Sequence, residues 1–498
     1  MARDIVTTTG DNLLAAHLES RENSLDLLRL ISASLVIVGH SYAIVGSGID
    51  PMVKWNGSVY SGLFALHVFF FISGLLVTNS FLRQPDIVRW LFARVLRIFP
   101  ALCVCLIVTV FVFGLLASTL QPGEYLSNPQ TWDYFRGNLF LLNTRFFLPG
   151  VFTGSVQKAM NGPLWSLYLE VRLYACAAVL LWMLRGRPRQ WLTAALGAVA
   201  VAGMLVPRPW LFVLGATDMH MTCSVLFLLG ALCALWSDKV LISTVWLAVI
   251  FLAATSYVRT PAFAPLFLIF TGYLVLCFGF SKFLSAIHLP GDYSYGVYIY
   301  GWPAQQLMAK CFPHWSAPWN AVSAFAVALG MAAISWHVVE KRSLAQKARL
   351  DFLRHNKGAV AVAVGCAAAM LIATGWGGPG QANRPGPVEG ERPVFPLGTI
   401  KAFGPTEVVA GQPFNVQPGG QSAMWLALSS PANAKSSIVF RDVKLKTAVS
   451  GNILTAIVPD ELFAQPGDAY FYVLDETFSP ASRTSGPRMT VRSPAQVR

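Results

Sequence analysis

Long apolar stretches recur along the first three quarters of the chain. Each is close to the roughly 20 residues that a helix needs to cross about 30 Å of hydrocarbon. The pattern is that of an all-α polytopic membrane protein with about eleven transmembrane helices. The predicted spans lie near residues 25–45, 62–80, 98–118, 163–184, 191–206, 219–236, 241–257, 263–281, 292–309, 319–338 and 358–376.

The pattern changes after Trp376. The run GGPGQANRPGPVEGERP is rich in Gly and Pro, which predicts an extended linker at residues 377–393. From residue 394 to 498, short β-like runs follow one another, separated by turn signals such as SGN and PGD. These runs are SIVF, VKLKTAV, LTAIVP and AYFYVLDE. They predict a small antiparallel β-sandwich, and the segment AGQPF…SSIVFRDVKLKTAVSGNILTAIVP resembles an immunoglobulin-like domain.

Composition agrees with a membrane protein. Of the 498 residues, 55% are hydrophobic and only 12% are charged. This apolar content excludes a disordered chain. The net charge of +13 could indicate nucleic-acid binding, but Lys and Arg also accumulate in the cytoplasmic loops of membrane proteins. The eight cysteines lie in or beside apolar stretches and include no CxxC pair. We interpret them as buried small hydrophobic residues, with no disulfide framework and no metal site.

Basic residues set the predicted orientation. The loops on one side of the predicted spans contain most of the Lys and Arg residues, which places the N-terminus in the cytoplasm and the C-terminus outside. Residues 1–24 form a polar cytoplasmic segment without the apolar core of a signal peptide. Residues 25–345 form the main transmembrane domain. Residues 346–376 comprise a basic cytoplasmic linker and the last span.

The first span carries an arginine and a histidine. Arg29 and His40 are eleven residues apart, so on a helix they share one face at a separation of about 16 Å. Arg29 lies near the inner boundary and His40 in the outer part of the span. Separately, Arg29 could be an interfacial anchor and His40 could make a packing hydrogen bond. Together they indicate an anionic group held inside and a proton-transfer group deeper in the membrane.

The third span opens with RVLRIFPAL, which places Arg94 and Arg97 on one face at a helix N-terminus. Two guanidinium groups beside the positive end of a helix favour phosphate or pyrophosphate. The alternative is ordinary positive-inside charge.

Glu170 lies about two turns into the fourth span. Arg172 projects from a different side of that helix, so the carboxylate needs a partner on another helix. A functional carboxylate and a purely structural one are both compatible with this position. The tenth span ends at Glu340, which is expected to balance the neighbouring Lys341 and Arg342.

Two other spans carry polar groups. In the second span, Ser73 and Gly74 permit close helix packing, and His67 could approach His40 or serve only in packing. In the ninth span, GDYSYGVYIYGWP, Ser294, Tyr295 and Tyr298 share roughly one face and offer hydroxyl groups to a cavity. An aromatic belt at the membrane interface is the alternative.

These motifs, in this order, resemble the acyltransferase-3 family of integral membrane acyltransferases, which includes O-antigen and exopolysaccharide O-acetylases. The resemblance covers about residues 22–345. It rests on Arg29-x10-His40, FFFISGLLVTNSF, Arg94-x-x-Arg97, GPLWSLYLE ending in Glu170, SYGVYIYGWP and the acidic Glu340.

The resemblance implies a bacterial cytoplasmic-membrane enzyme that transfers an acyl group, usually acetyl in this family. The donor would be cytoplasmic acetyl-CoA or another acyl-CoA, and the acceptor a hydroxyl of an extracytoplasmic sugar or glycolipid. Arg29, Arg94 and Arg97 would hold the CoA phosphates, and His40 and Glu170 would be catalytic. His40 would act as general base or carry the acyl group in a relay. No metal and no nucleic acid is implied.

The sequence departs from the family at two points. Gly301 stands where a histidine is common in the family, and His67 could take over the role of that histidine. The C-terminal region lacks the GDS motif and DxxH pair of the esterase-like domain that some members carry, so we expect it to be non-catalytic. It could be a spacer, or it could bind the glycan or a glycan-synthesis partner. Two other functions remain open: a proton-coupled transporter or flippase for an anionic solute, and a membrane scaffold.

Overall fold

The computed structural model describes residues 13–20, 23–141, 144–205 and 218–346. Beyond these it describes positions 358, 360, 362, 364–367, 369, 400–417, 420–429, 432–433, 436–475, 482–483 and 488–493. The chain divides into two compact units. One comprises Met1–Val45 and Val59–Asn383, and the other comprises Gly46–Ser58 and Arg384–Arg498.

The described residues of the first unit form mainly helices and the loops that join them, and the second unit adds one short α-helix, α3, and a 3₁₀ helix at Asp460–Phe463. The helices are α1 Leu14–Ser20, α2 Leu25–Val45, α3 Pro51–Asn56, α4 Ser61–Arg83, α5 Ile87–Ala117, α6 Pro122–Ser127, α7 Pro129–Leu139, α8 Leu164–Met183, α9 Arg189–Leu205, α10 Asp218–Leu235, α11 Thr244–Ser256, α12 Phe263–Gly279, α13 Lys282–Ser285, α14 Ser294–Cys311 and α15 Ala317–Ala345.

A helix covers most or all of each of the first ten predicted spans. The eleventh, 358–376, lies largely outside the described residues. Within the described chain, α2, α4, α5, α8 and α15 are long and apolar enough to cross a membrane, and α10–α12 contain shorter apolar segments. The structure therefore confirms a mostly helical protein with several apolar helices. The total of eleven spans and their orientation stay predictions.

Helix α5 is longer than its predicted span, 98–118. It begins at Ile87, where the Asp86 side chain accepts a hydrogen bond from the backbone N–H of Arg89, as an N-cap residue does. Pro100 lies inside the helix, and residues Thr109–Gly114 form a π-helical turn. The Tyr125 hydroxyl donates a hydrogen bond to the Val110 carbonyl in this turn, which satisfies a group that irregular helical bonding leaves available.

Glycines bring the helices of the first unit into backbone contact. A Cβ at Gly74 of α4 would lie 1.9 Å from the Phe227 carbonyl oxygen of α10, and one at Gly39 of α2 would lie 2.5 Å from the Gly62 nitrogen of α4. Small residues let two helix backbones approach closely, which matters in a membrane because the hydrophobic effect does not drive helices together there. The close packing predicted for Gly74 is confirmed.

The second unit contains two β-sheets. One has strand order β1-β3-β7-β6, and the other has β2-β10-β8-β4-β5 with β9 beside β8. The strands are β1 Ile400–Gly404, β2 Glu407–Val409, β3 Ala423–Leu428, β4 Ser436–Phe440, β5 Val443–Lys444, β6 Thr447–Ser450, β7 Ile453–Ile457, β8 Gly467–Asp475, β9 Ser482–Arg483 and β10 Arg488–Arg492. All four predicted β-like runs form strands. Seven of the eight described strand pairings are antiparallel, and β2 and β10 pair in parallel.

Side chains from both sheets share one hydrophobic core. Phe403 of β1 meets Phe471 of β8 edge to face, with ring centroids 4.9 Å apart, and Leu426, Leu454 and Val491 are buried in the same core. The likeness to an immunoglobulin domain stays a prediction.

Candidate active site

A cavity of about 370 Å³ lies among the helices of the first unit. Its wall follows α4 from Leu66 to Val77, a rise of about 16 Å along the helix axis. Its remaining lining residues come from α2, α5, α8, α14 and α15 and the segment before α14. The charged and hydroxyl-bearing ones are Arg29, Ser73, Arg94, Arg97, Ser166, Glu170, Tyr174, Asp292, Ser294, Tyr295 and Tyr298.

Arginines and acids form a network at one end of the cavity. Arg97 Nη2 donates to Asp292 Oδ2 at 2.6 Å, and Arg29 Nη1 lies 3.9 Å from the same oxygen. Arg97 Nη1 lies 3.9 Å from Glu340 Oε2, whose side chain is 2% exposed. Glu340 therefore faces Arg97 instead of balancing Lys341 and Arg342. The Ser335 hydroxyl donates a hydrogen bond to the other carboxylate oxygen, Glu340 Oε1. Glu340 is the last residue of the π-helical turn Trp336–Glu340.

Asp292 immediately precedes α14. Its carboxyl group lies beside the guanidinium groups of Arg97 and Arg29 and accepts hydrogen bonds from Arg97 and Ser294. A carboxylate in this position offsets part of the arginine charge.

Arg94 differs from the other two arginines. Its guanidinium carbon lies 5.7 Å from the ring centroid of Trp90 and 6.0 Å from that of Tyr174. Its Nε is buried without a hydrogen-bond partner among the described residues. Cation–π contacts hold the guanidinium in place, and the residue lines the cavity.

Glu170 lies against two hydroxyl groups. Ser73 Oγ donates to Glu170 Oε1 at 2.9 Å, and the Tyr174 hydroxyl donates to the same oxygen. Since Ser73 is on α4, the carboxylate has a partner on another helix, as its position two turns into α8 predicts. These bonds fix Glu170 in the cavity wall.

The hydroxyl-bearing face of α14 also lines the cavity, but it uses its hydroxyls within the protein. Ser294 Oγ donates to Asp292 Oδ1 at 2.6 Å. The Tyr295 hydroxyl donates to the Ile98 carbonyl and the Tyr298 hydroxyl to the Pro163 carbonyl, both at 2.9 Å. These residues therefore shape the wall and join α14 to its neighbours.

His40 is not among the residues that line the cavity, but it packs next to α14, the helix that forms part of the cavity wall. Its ring centroid is 4.9 Å from that of Trp302, in an edge-to-face arrangement, and 6.0 Å from that of Tyr60. Trp302 follows Tyr298 by four residues, a rise of about 6 Å. His40 Nδ1 is buried without a hydrogen-bond partner among the described residues. Arg29 and His40 thus both face α14 or the residues just before it, as their shared helix face predicts.

His67 has a different environment from His40. It is buried on α4, and its Nε2 lies 2.9 Å from Thr222 Oγ1 of α10. Among the described residues it does not line the cavity. This contact favours the packing interpretation of His67 over a cavity role.

Arg94 and Arg97 are brought together in the cavity, but the predicted helix N-terminus is wrong. Because α5 starts at Ile87, Arg94 lies about 10 Å along the helix from its first residue. The N-terminal backbone amides therefore cannot share an anion with these side chains.

The sequence pattern did not predict four polar residues that line the cavity: Ser73, Ser166, Tyr174 and Asp292. Asp292 had a detectable signal, an acidic residue at the edge of an apolar segment that needs a cationic partner. Ser73 was recognised only as a small packing residue. Within the described residues, no group of three or more His, Cys, Asp or Glu side chains is placed to hold a metal ion.

Gly301, where the resemblance leads us to expect a histidine, packs against α2. A Cβ at this position would lie 2.9 Å from Ile37 Cγ1 and 3.1 Å from Ile37 Cδ1. Ile37 precedes His40 by one helical turn. The glycine therefore permits the contact between α2 and α14 that places His40 beside Trp302.

Comparisons with known proteins match this helical region. The family model for the acyltransferase domain of the acyltransferase-3 family matches residues 22–337. An O-acetyl transferase of Shigella phage Sf6 is 28% identical over 331 residues, which cover 65% of this chain and 96% of the relative. Nodulation protein 10 of Rhizobium leguminosarum bv. viciae is 31% identical over 204 residues, or 38% of this chain and 51% of the relative.

No solved structure matches the chain significantly. The family model nevertheless spans more than half of the sequence and includes Arg29, His40, Arg94, Arg97, Glu170 and the hydroxyl-bearing face of α14. The chain belongs to the acyltransferase-3 family.

Proposed function

We propose that this membrane acyltransferase moves an acetyl group from cytoplasmic acetyl-CoA to a hydroxyl of an extracytoplasmic carbohydrate or glycolipid. The observation that carries the proposal is the cavity, with three arginines at one end and a wall that continues along α14 towards His40. The name of the phage relative supports the acetyl group and the oxygen acceptor.

The cationic end suits an anionic donor. Arg94 lines the cavity with its Nε free of any hydrogen-bond partner among the described residues, and Arg97 and Arg29 add charge at the same end. Guanidinium groups bind phosphates through paired, charge-assisted hydrogen bonds. We expect the donor phosphates here, with apolar residues such as Leu66, Phe69 and Leu167 along the path of the acyl arm.

His40 is the residue of this region suited to proton transfer. Its imidazole would accept the proton of the acceptor hydroxyl while the hydroxyl oxygen attacks the thioester carbonyl and the CoA thiolate leaves. An acyl-histidine relay uses the same ring as nucleophile. Glu170 lies in the cavity wall and accepts hydrogen bonds from Ser73 and Tyr174. His40 instead contacts Tyr60 and Trp302. We therefore assign Glu170 to the donor-binding part of the site.

The arrangement across the membrane is part of the proposal. The arginine end would face the cytoplasm, where acetyl-CoA is made, and His40 would lie towards the outer side. The C-terminal β-sheet unit would then be extracytoplasmic, where it could bind the glycan or a synthesis partner.

The test is acetyl transfer by purified protein in lipid nanodiscs. Labelled acetyl-CoA is supplied with surface glycan from the producing cell, and label in the glycan is measured together with thiol release. We expect His40→Ala to lower the rate by about 10²–10⁴-fold. His288→Ala is the control, because His288 is exposed and lies outside the cavity wall.

Full acetylation by the His40→Ala variant would refute the catalytic role. If wild-type protein transfers no acetyl group but moves an anionic solute across proteoliposomes in a pH-dependent way, the transporter alternative replaces the proposal.

A further inference from the structure

Asp292 holds the position in the cavity where an anionic ligand would meet two of the three arginines. Its Oδ2 accepts from Arg97 at 2.6 Å and lies 3.9 Å from Arg29. Its Oδ1 accepts from Ser294 at 2.6 Å. The Asp292 side chain is 11% exposed and lines the cavity. One carboxylate therefore faces the cavity and pairs with two cations.

The three arginines are unequal as anion-binding groups. Arg97 is near two acids, Asp292 and Glu340, and Arg29 is near Asp292 and Asp26. Among the described residues, Arg94 makes no ion pair within 4 Å and its Nε has no hydrogen-bond partner. An anion can bind Arg94 directly, whereas it can use the same N–H groups of Arg97 only by displacing Asp292.

Resting on the proposed function, we infer that Asp292 is an internal competitor for the donor phosphates. It keeps Arg97 and Arg29 oriented towards the cavity when no anion is bound, and it yields their N–H groups when a phosphate binds. The competition lowers the affinity for acetyl-CoA and for the product CoA alike. Because like charges repel, the carboxylate also favours departure of CoA after transfer.

The predicted consequence is unusual for a residue in a binding site, because removing its charge should strengthen binding. Asp292→Asn keeps the shape and the contact with Ser294 but removes the negative charge. We expect its Kd for CoA to fall on the order of tenfold, as expected when a charge-assisted hydrogen bond no longer has to be broken. Asp292→Glu keeps the charge and should restore wild-type affinity.

The experiment is calorimetric titration of purified full-length protein in detergent with two probes, CoA and inorganic pyrophosphate, at low and high salt. Asp238→Asn is the matched control, because Asp238 also pairs with an arginine at 2.6 Å but is 53% exposed on the surface. Its affinity should equal that of the wild type. The advantage of Asp292→Asn should shrink at high salt, since salt screens the added net positive charge.

Unchanged or weaker binding of both probes by a folded Asp292→Asn variant would overturn the inference. If CoA binds normally but is not tightened, the inference fails and the proposed donor stands. If pyrophosphate binds, is tightened by Asp292→Asn, and CoA does not bind at all, the inference stands and the proposed donor fails. Absence of binding by either probe would overturn both.

Discussion

Gly301→Ala should destabilise the protein, although alanine is normally the better helix former. In a helix interior, replacing glycine with alanine is favourable by up to about 1 kcal/mol. At Gly301 the new Cβ would lie 2.9 Å and 3.1 Å from two atoms of Ile37. Ile37 is 2% exposed and cannot swing into solvent. Overpacking of this kind costs about 1–3 kcal/mol, so after the propensity gain we expect a net loss of up to about 2 kcal/mol.

A second substitution identifies the contact that causes the loss. Ile37→Ala removes both atoms that the new Cβ would meet, at its own cost of about 2–5 kcal/mol. If the clash is the cause, the double variant loses less than the sum of the two single variants, by about 1–3 kcal/mol. This coupling should appear between Gly301 and Ile37 because they are in direct contact across α2 and α14.

The assay is thermal unfolding in detergent micelles, followed by the fraction of protein that remains monodisperse. Gly330→Ala is the control, because Gly330 also lies inside a long helix and has open space where its Cβ would be. We expect this control to be neutral or slightly stabilised. Equal behaviour of Gly301→Ala and Gly330→Ala, or strict additivity with Ile37→Ala, would refute the reasoning. Reduced acetyl transfer by Gly301→Ala would show that the contact also positions His40.

Two other predictions test the two units separately. Arg94→Ala should weaken CoA binding in calorimetry at least tenfold, because it removes a charge-assisted contact. Arg185→Ala is its control, since Arg185 lies on an exposed surface over Trp182, and an equal loss there would contradict a specific role. In the β-sheet unit, Asn433→Ala should cost about 2–4 kcal/mol, because Asn433 donates to the buried carboxylate of Asp475 at 2.5 Å. Unchanged protease resistance of that unit in the full chain would contradict this expectation.

Sequence periodicity predicts the helices that line the cavity well, because helical geometry is local. The common face of Arg29 and His40 follows from about 100° of rotation per residue, and both residues do face α14 or the segment before it. Apolar length likewise located the helices at the first ten predicted spans.

The sequence alone does not predict which side chains on distant helices contact each other. Arg97 and Asp292 are 195 residues apart, and Ser73 and Glu170 are 97 apart. A local sequence pattern does not indicate which helices pack against each other in the folded protein. The start of α5 was also misplaced, because IVRWLFARVLR is basic and lowers hydropathy while remaining helical.

The way His40 is held connects these observations. In many catalytic sites, a third group fixes the base by a hydrogen bond. Here, within the described residues, Nδ1 of His40 has no such partner, and the ring instead lies between Tyr60 and Trp302. Its orientation therefore depends on aromatic contacts, and these depend on how closely α2 approaches α4 and α14. The glycines at those two contacts, Gly39 with Gly62 and Gly301 beside Ile37, are consequently positioning elements of the candidate active site as well as packing residues.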